Sequence, residues 1–110
     1  MIASLLTQLT TAKNGLEDAQ ITLCGAVTAH AEAKRALEHA EAHLIYEGVE
    51  GKNEKERAAN LRLELTDAYT VLAEAEDALT EARCAHDLAR LEWDLARYSV
   101  KLLESNRQVA

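Results

Sequence analysis

The chain turns once, at Gly48-Val49-Glu50-Gly51-Lys52-Asn53, between two long stretches that are rich in alanine and leucine. Gly48 is the kind of residue that ends a helix, because glycine readily adopts the left-handed conformation at that position. Asn53, followed three residues later by Glu56, is an N-cap and capping-box pair. We therefore predict a first helix over about residues 2–47, a turn over 48–53 and a second helix over about 54–105.

The composition on both sides of the turn indicates the same architecture. The 110 residues include 21 alanines and 17 leucines, with no proline and no phenylalanine. Such a composition is typical of long helices or a coiled coil and excludes a β-sandwich or barrel. We predict an all-α fold with one domain over residues 1–110: an antiparallel two-helix coiled-coil hairpin.

Each stretch carries an apolar seam whose members are spaced alternately three and four residues apart, the repeat of coiled-coil packing. The first seam consists of Ile2, Leu5, Leu9, Ala12, Leu16, Ala19, Leu23, Ala26, His30, Ala33, Leu37, Ala40 and Leu44. The second seam consists of Leu61, Leu65, Ala68, Leu72, Ala75, Leu79, Ala82, His86, Ala89, Trp93, Ala96, Val100 and Leu103. Within each seam large residues tend to alternate with alanine.

This alternation predicts a register in which a large residue of one helix faces an alanine of the other, since such layers fill space well. The predicted layers include Leu37 with Ala68, Leu23 with Ala82, Leu16 with Ala89, and Leu9 with Ala96. Asn14-Gly15 is a turn signal inside the first helix. The seam keeps its phase across this pair, so we expect one continuous helix, with a break there as the alternative.

A second apolar stripe begins after residue 83, on the face of the second helix opposite the seam. Its members are Cys84, Leu88, Leu91, Leu95, Tyr98 and Leu102. An exposed stripe of this length indicates an interaction surface. We predict antiparallel pairing with a second copy, which would place Leu91 on Leu95 and Leu88 on Tyr98 in a four-helix homodimer. The alternatives are a bent N-terminus covering the stripe and a different protein.

Charge and hydropathy restrict the class of partner. The formal net charge of −7 argues against a general nucleic-acid binder, although it does not exclude one. No apolar run is long enough to span a membrane, and Ile2–Leu9 is too short for a secretory signal. The two cysteines have no metal-binding spacing and suggest a reducing compartment. We therefore expect a cytoplasmic protein with no membrane association.

Four local patterns in the sequence are candidate sites. His39 and His43 share a helix face with Glu47, but their order is not a zinc-protease motif, so we expect solvated histidines, no metal and no cofactor. His30 and His86 are read as residues that specify the register of the seam. Arg83, Arg90 and Arg97 form a ridge that neighbouring aspartates neutralise. The best local candidate is a basic cluster near the turn that could bind a partner: Lys52, Lys55, Arg57 and Arg62.

The segment Tyr46–Arg57 resembles the turn of small uncharacterised phage and prophage proteins, which look like helical hairpins with a Gly-Lys-Asn turn. This resemblance covers about twelve residues and implies a small accessory protein of a mobile element in the host cytoplasm.

No pair of nucleophile and base is arranged for catalysis, so we expect no enzymatic activity. The predicted function is that of a self-associating helical-hairpin protein that binds another protein. The alternatives are a nucleic-acid-associated accessory factor, for example in phage recombination or replication, and an acidic inhibitor that mimics nucleic acid.

Overall fold

A computed structural model describes residues 2–109, and the side chains of residues 2–107. Over this part of the chain it contains three helices and no strand: α1 (Ile2–Glu47), α2 (Glu54–Glu64) and α3 (Thr66–Val109). Helix α1 packs against α3, as the hydrogen bond between Glu41 and Tyr69 illustrates. The prediction of an all-α fold is confirmed.

The chain divides into two compact units. The terminal unit combines the part of α1 up to Gly25 with the part of α3 from Thr80 onward. The turn unit is the continuous segment Ala26–Leu79, which holds the rest of α1, the turn, α2 and the start of α3.

In the turn unit, the seam residues form the core. The seam side chains from Ala26 to Leu44 and from Leu61 to Leu79 are all buried or half-buried. Leu37, Leu65 and Leu79 are the most enclosed, each at most 7% exposed. His30 lies in this seam with its Nε2 atom 3.7 Å from Oε1 of Glu76. The register that pairs Leu37 with Ala68 places His30 opposite Ala75, the residue before Glu76, and the observed distance agrees with it.

In the terminal unit, the seam residues again form the core. The members from Leu5 to Leu23 and from Ala82 to Leu103 are buried or half-buried, and Ala12 and Ala82 are the most enclosed. Ile2 is an exception, because its side chain is 53% exposed. The prediction that Ile2 belongs to the seam is wrong, since in the first turn of α1 no preceding turn helps to cover it.

Helix α1 is continuous through Asn14-Gly15, as predicted. Among the described residues, the backbone φ angle is positive only at Gly48 and Gly51, so neither Asn14 nor Gly15 adopts the left-handed conformation of a tight turn. The phase of the hydrophobic seam therefore outweighs the local turn preference of this dipeptide.

The turn is closed by the predicted caps. Gly48 has φ +94° and donates its amide hydrogen bond to the Leu44 carbonyl at 3.0 Å, as a helix-ending glycine does. Asn53 Oδ1 accepts from the Glu56 amide at 2.8 Å. Glu56 Oε2 in turn accepts from the Lys52 amide at 3.1 Å, one residue earlier than in the usual capping box.

The prediction of one unbroken second helix is wrong at Leu65. Helix α2 ends at Glu64, Leu65 has φ −99° and ψ 16°, and α3 begins at Thr66. The Thr66 hydroxyl lies within hydrogen-bond distance of two carbonyls of α2, at 2.7 Å from that of Leu63 and 3.4 Å from that of Arg62. A threonine that bonds back to the preceding turn in this way bends a helix. Helix α3 also extends to Val109, beyond the expected end near residue 105.

Candidate interaction surfaces

The apolar stripe on α3 is exposed along its whole length in the terminal unit. Leu88, Leu91 and Leu95 are 63–66% exposed, Tyr98 is 60% exposed and Leu102 is 48% exposed. Cys84, at the start of the stripe, is also exposed and carries a free thiol. A run of large apolar side chains on one exposed face is the usual mark of an interaction site.

Charged side chains border the stripe on one side. Asp87, Asp94 and Lys101 are exposed there at seven-residue spacing. The arginine ridge lies just beyond them, and its members Arg83, Arg90 and Arg97 are exposed as well. The Arg97 guanidinium is 3.9 Å from Asp94 and 5.9 Å from the centre of the Trp93 ring. This border therefore contains both signs of charge, which can pair with a surface of matching order.

A groove between α1 and α3 adjoins the stripe on its other side. Its volume is about 360 Å³. It is lined by Thr7, Gln8, Thr11, Ala12, Glu92, Leu95, Ala96 and Ser99. The joint presence of Ala12 and Ala96 agrees with the predicted register, in which Leu9 faces Ala96. Leu95 belongs to both the groove and the stripe, so the two surfaces are continuous.

The four basic residues predicted near the turn do not form one cluster. Lys52, Lys55 and Arg57 are exposed around the start of α2. Arg62 instead stacks on Tyr69, with its guanidinium carbon 5.0 Å from the ring centre. The backbone amide of Glu56 in α2 already donates its hydrogen bond to the Asn53 side chain, so it is not available to an anion. The turn is thus a closed cap with three bases around it.

At Gly51 the turn passes close to Arg57 of α2. A Cβ atom placed on Gly51 would lie 2.6 Å from Cγ and 2.7 Å from the backbone nitrogen of Arg57. Gly51 is therefore required for the close approach of the turn to α2. Beside it lies an apolar recess of about 450 Å³ bounded by Ile45, Val49 and Leu61, among others.

A side-chain cluster at the start of α3 is not among the sites predicted from the sequence. The Tyr69 hydroxyl donates to Glu41 Oε1 at 2.7 Å and the ring carries Arg62. The hydrogen bond to Glu41 and partial burial raise the pKa of the Tyr69 phenol above its ordinary value of 10.0, while the Arg62 charge lowers it. Tyr69 directly follows the seam residue Ala68 in the sequence. This position beside the seam is the sequence feature from which the cluster could have been predicted.

Other candidate residues make local contacts within α1. His43 Nε2 is 3.2 Å from Glu47 Oε1 on the same face of α1, and both side chains are largely exposed. Cys24 is exposed and accepts a weak contact from Gln20 Nε2 at 4.0 Å. Over the described residues, no three His, Cys, Asp or Glu side chains come close enough together to bind a metal.

Comparison with known proteins gives no match for this chain: no family model, no curated protein and no solved structure is similar to it at a significant level. None of the helices over residues 2–109 combines the length and the hydropathy needed to cross a membrane.

Proposed function

We propose that this chain is a non-enzymatic helical-hairpin protein that self-associates through the stripe on α3 and acts by binding another protein. The observation that carries the proposal is the exposure of five large apolar side chains on one face of the terminal unit. The turn resembles that of phage and prophage proteins, which is compatible with an accessory role in a mobile element.

A second copy is the occupant that fits the stripe best. In an antiparallel pairing of two α3 helices, Leu91 meets Leu95 of the other copy and Leu88 meets its Tyr98. Burying the rest of each leucine side chain stabilises the pair by about 1–2 kcal/mol, given ~1.5–3 kcal/mol for full burial. The contact is isologous, so every favourable layer occurs twice.

The charges beside the stripe support the same pairing. In this alignment Asp87 of one copy lies near Lys101 of the other, and the twofold axis repeats this opposite-charge pair. Asp94 approaches its own copy near the axis, where Arg97, at 3.9 Å, offsets its charge within each chain. A matching order of charges of this kind selects register and orientation more than it adds affinity.

The test is the mass of the protein in solution. We expect sedimentation velocity at micromolar concentration to give about twice the chain mass of 12.1 kDa for the wild type. Leu91→Lys should give the mass of one chain, because burying the charged lysine in the interface without an acidic side chain to pair with it costs too much free energy. The matched control is Leu63→Lys, which changes a leucine of similar exposure on α2 and should leave the dimer intact.

A charge exchange tests the register. Asp87→Lys and Lys101→Asp should each weaken the dimer severalfold, and the double variant should recover most of the loss. A wild type that sediments as one chain, or equal behaviour of Leu91→Lys and Leu63→Lys, would contradict self-association through the stripe.

A further inference from the structure

The groove of the terminal unit is a candidate binding site for a third helix. Gln8 and Thr11 form its α1 wall, Glu92 and Ser99 form its α3 wall, and Ala12 and Ala96 lie between them. The volume of about 360 Å³ is open along the helices and is bounded on the outside by the exposed Leu95. The alanines leave the two helix backbones close to the surface, so an approaching helix can pack near them.

Two glycines lie on the groove side of α1, beyond the residues that line the groove itself. Gly15 follows Thr11 by four residues, and Gly25 lies on the same side of α1 farther along. A Cβ atom on either glycine would meet no atom within 4 Å. Glycine is less favourable than alanine inside a helix, and the packing of this chain leaves room for a side chain at both positions. The close approach of another backbone is the situation in which glycine is needed.

The two sides of the terminal unit differ in charge. Helical periodicity places Asp18, Glu81 and Glu92 on the side of the groove, and the described residues of the terminal unit include no lysine, arginine or histidine on that side. The opposite side carries both signs. Its bases are Lys13, Arg83, Arg90, Arg97 and Lys101. Glu92 is the charged residue among those that line the groove, and Asp18 and Glu81 lie on the same side beyond it. Negative charge on this side attracts a cationic partner and repels one that carries phosphates.

We propose that this groove binds a basic amphipathic helix of a partner protein. The apolar face of that helix lies on Ala12, Ala96 and Leu95, its backbone passes close to Gly15, and its lysines or arginines face Glu92. This inference rests on the proposed protein-binding role and names the chemistry of the partner. The base of the groove at Ala12 and Ala96 lies between α1 and α3, whereas the second copy covers the outward face of α3, and Leu95 borders both surfaces.

The probe is a labelled helical peptide of about three heptads with leucine and alanine on one face and lysine on the flanking positions. Fluorescence anisotropy with the full chain should show binding that weakens at high ionic strength, because the charges are exposed. The same peptide with glutamate in place of lysine should bind at least about tenfold more weakly. Equal binding of the two peptides would overturn the proposal.

Two variants place the peptide in the groove. Glu92→Lys should weaken binding of the lysine peptide about tenfold, whereas Glu17→Lys, on the opposite side of α1, should leave it unchanged. Gly15→Leu should abolish binding and keep or raise the thermal midpoint, since leucine favours a helix and meets open space. Its control is Asn14→Leu, one residue away and directed out of the groove.

The readouts separate the two proposals. Gly15→Leu should sediment with the same mass as the wild type, so loss of peptide binding without loss of the dimer assigns the groove its own role. If Gly15→Leu binds the lysine peptide as tightly as the wild type, the groove is not the site. A wild type that sediments as one chain but still binds the peptide would contradict self-association and support the groove.

Discussion

The outward face of α3 changes character between the two units. In the turn unit it carries the polar residues Asp67, Thr70, Glu74 and Asp77, all exposed. In the terminal unit the same face carries the stripe of Leu88, Leu91, Leu95, Tyr98 and Leu102. Both units bury the same kind of leucine–alanine seam, so the difference does not arise from the core.

The turn unit adds polar contacts between its helices, whereas the terminal unit presents apolar surface. Tyr69 bonds to Glu41 and His30 approaches Glu76 in the turn unit. Such contacts orient the helices of one chain. A large exposed apolar surface is the usual mark of an interaction site. The two units therefore differ in the surfaces they present rather than in their seams, and the proposed association concerns the terminal unit.

The seam and the stripe should respond very differently to truncation. Leu37→Ala, at a position only 6% exposed in the turn unit, should lower the free energy of unfolding by about 2–5 kcal/mol, because it leaves a cavity. Leu88→Ala should change the free energy of unfolding of the single chain by about 0.5 kcal/mol or less. Urea denaturation, at a protein concentration too low for the dimer to form, measures the free energy of unfolding of both variants. Similar losses for the two variants would mean that the stripe is covered within the chain.

Paired cysteines test the register of α1 and α3 in the terminal unit. With Cys24 and Cys84 replaced by serine, Leu23→Cys with Ala82→Cys and Leu16→Cys with Ala89→Cys should each form a disulfide on mild oxidation. Each bond should raise the free energy of unfolding by about 2–4 kcal/mol.

Non-reducing electrophoresis and denaturation in the oxidised state measure the two effects. The control pairs Leu16→Cys with Ala82→Cys, which the register places about two helical turns apart and which should not cross-link. Cross-linking of the control instead of the two matched pairs would show that the register is shifted.

The smallest effect concerns the Tyr69–Glu41 contact in the turn unit. The pKa of Tyr69 is raised in the folded chain, chiefly by its hydrogen bond to Glu41. The associated stability is therefore fully present below pH 10 and is lost as the pH rises through the folded pKa, since the unfolded phenol ionises first. Tyr69→Phe should lower stability slightly at neutral pH and flatten this alkaline decline.

Thermal unfolding between pH 8 and pH 11 measures the decline. The control is Tyr46→Phe, which changes a tyrosine that is 91% exposed and should leave the curve of the wild type unchanged. An alkaline decline that is as steep in Tyr69→Phe as in the wild type would show that the contact does not contribute to it.

Much of the fold followed from local patterns in the sequence. The spacing of leucine and alanine identified nearly every residue that the structure buries, because a helix has a constant angular step and a seam needs a constant spacing. Gly48, Asn53 and Glu56 located the turn, because caps act on backbone groups a few residues away. The exposed stripe was also predicted, because it breaks the seam pattern on one helix.

The break at Leu65 and the groove were not predictable in this way. Leu61, Leu65 and Ala68 keep the phase of the seam through the break, so periodicity contains no sign of it. The bend depends on the bond of the Thr66 hydroxyl to the preceding turn, and Tyr69 then meets Glu41. These contacts join residues whose proximity is known only after the helices are packed.

The sequence by itself thus determined where α1 ends and α2 begins, which helix faces are buried and where one helix face stays apolar, because each of these properties depends on neighbours within one or two helical turns. Only the tertiary structure decided which residues of α1 lie beside which residues of α3. The acidic residue Glu92 of α3 and Thr11 of α1 lie far apart in the chain, and they border one groove because antiparallel packing brings α1 and α3 side by side.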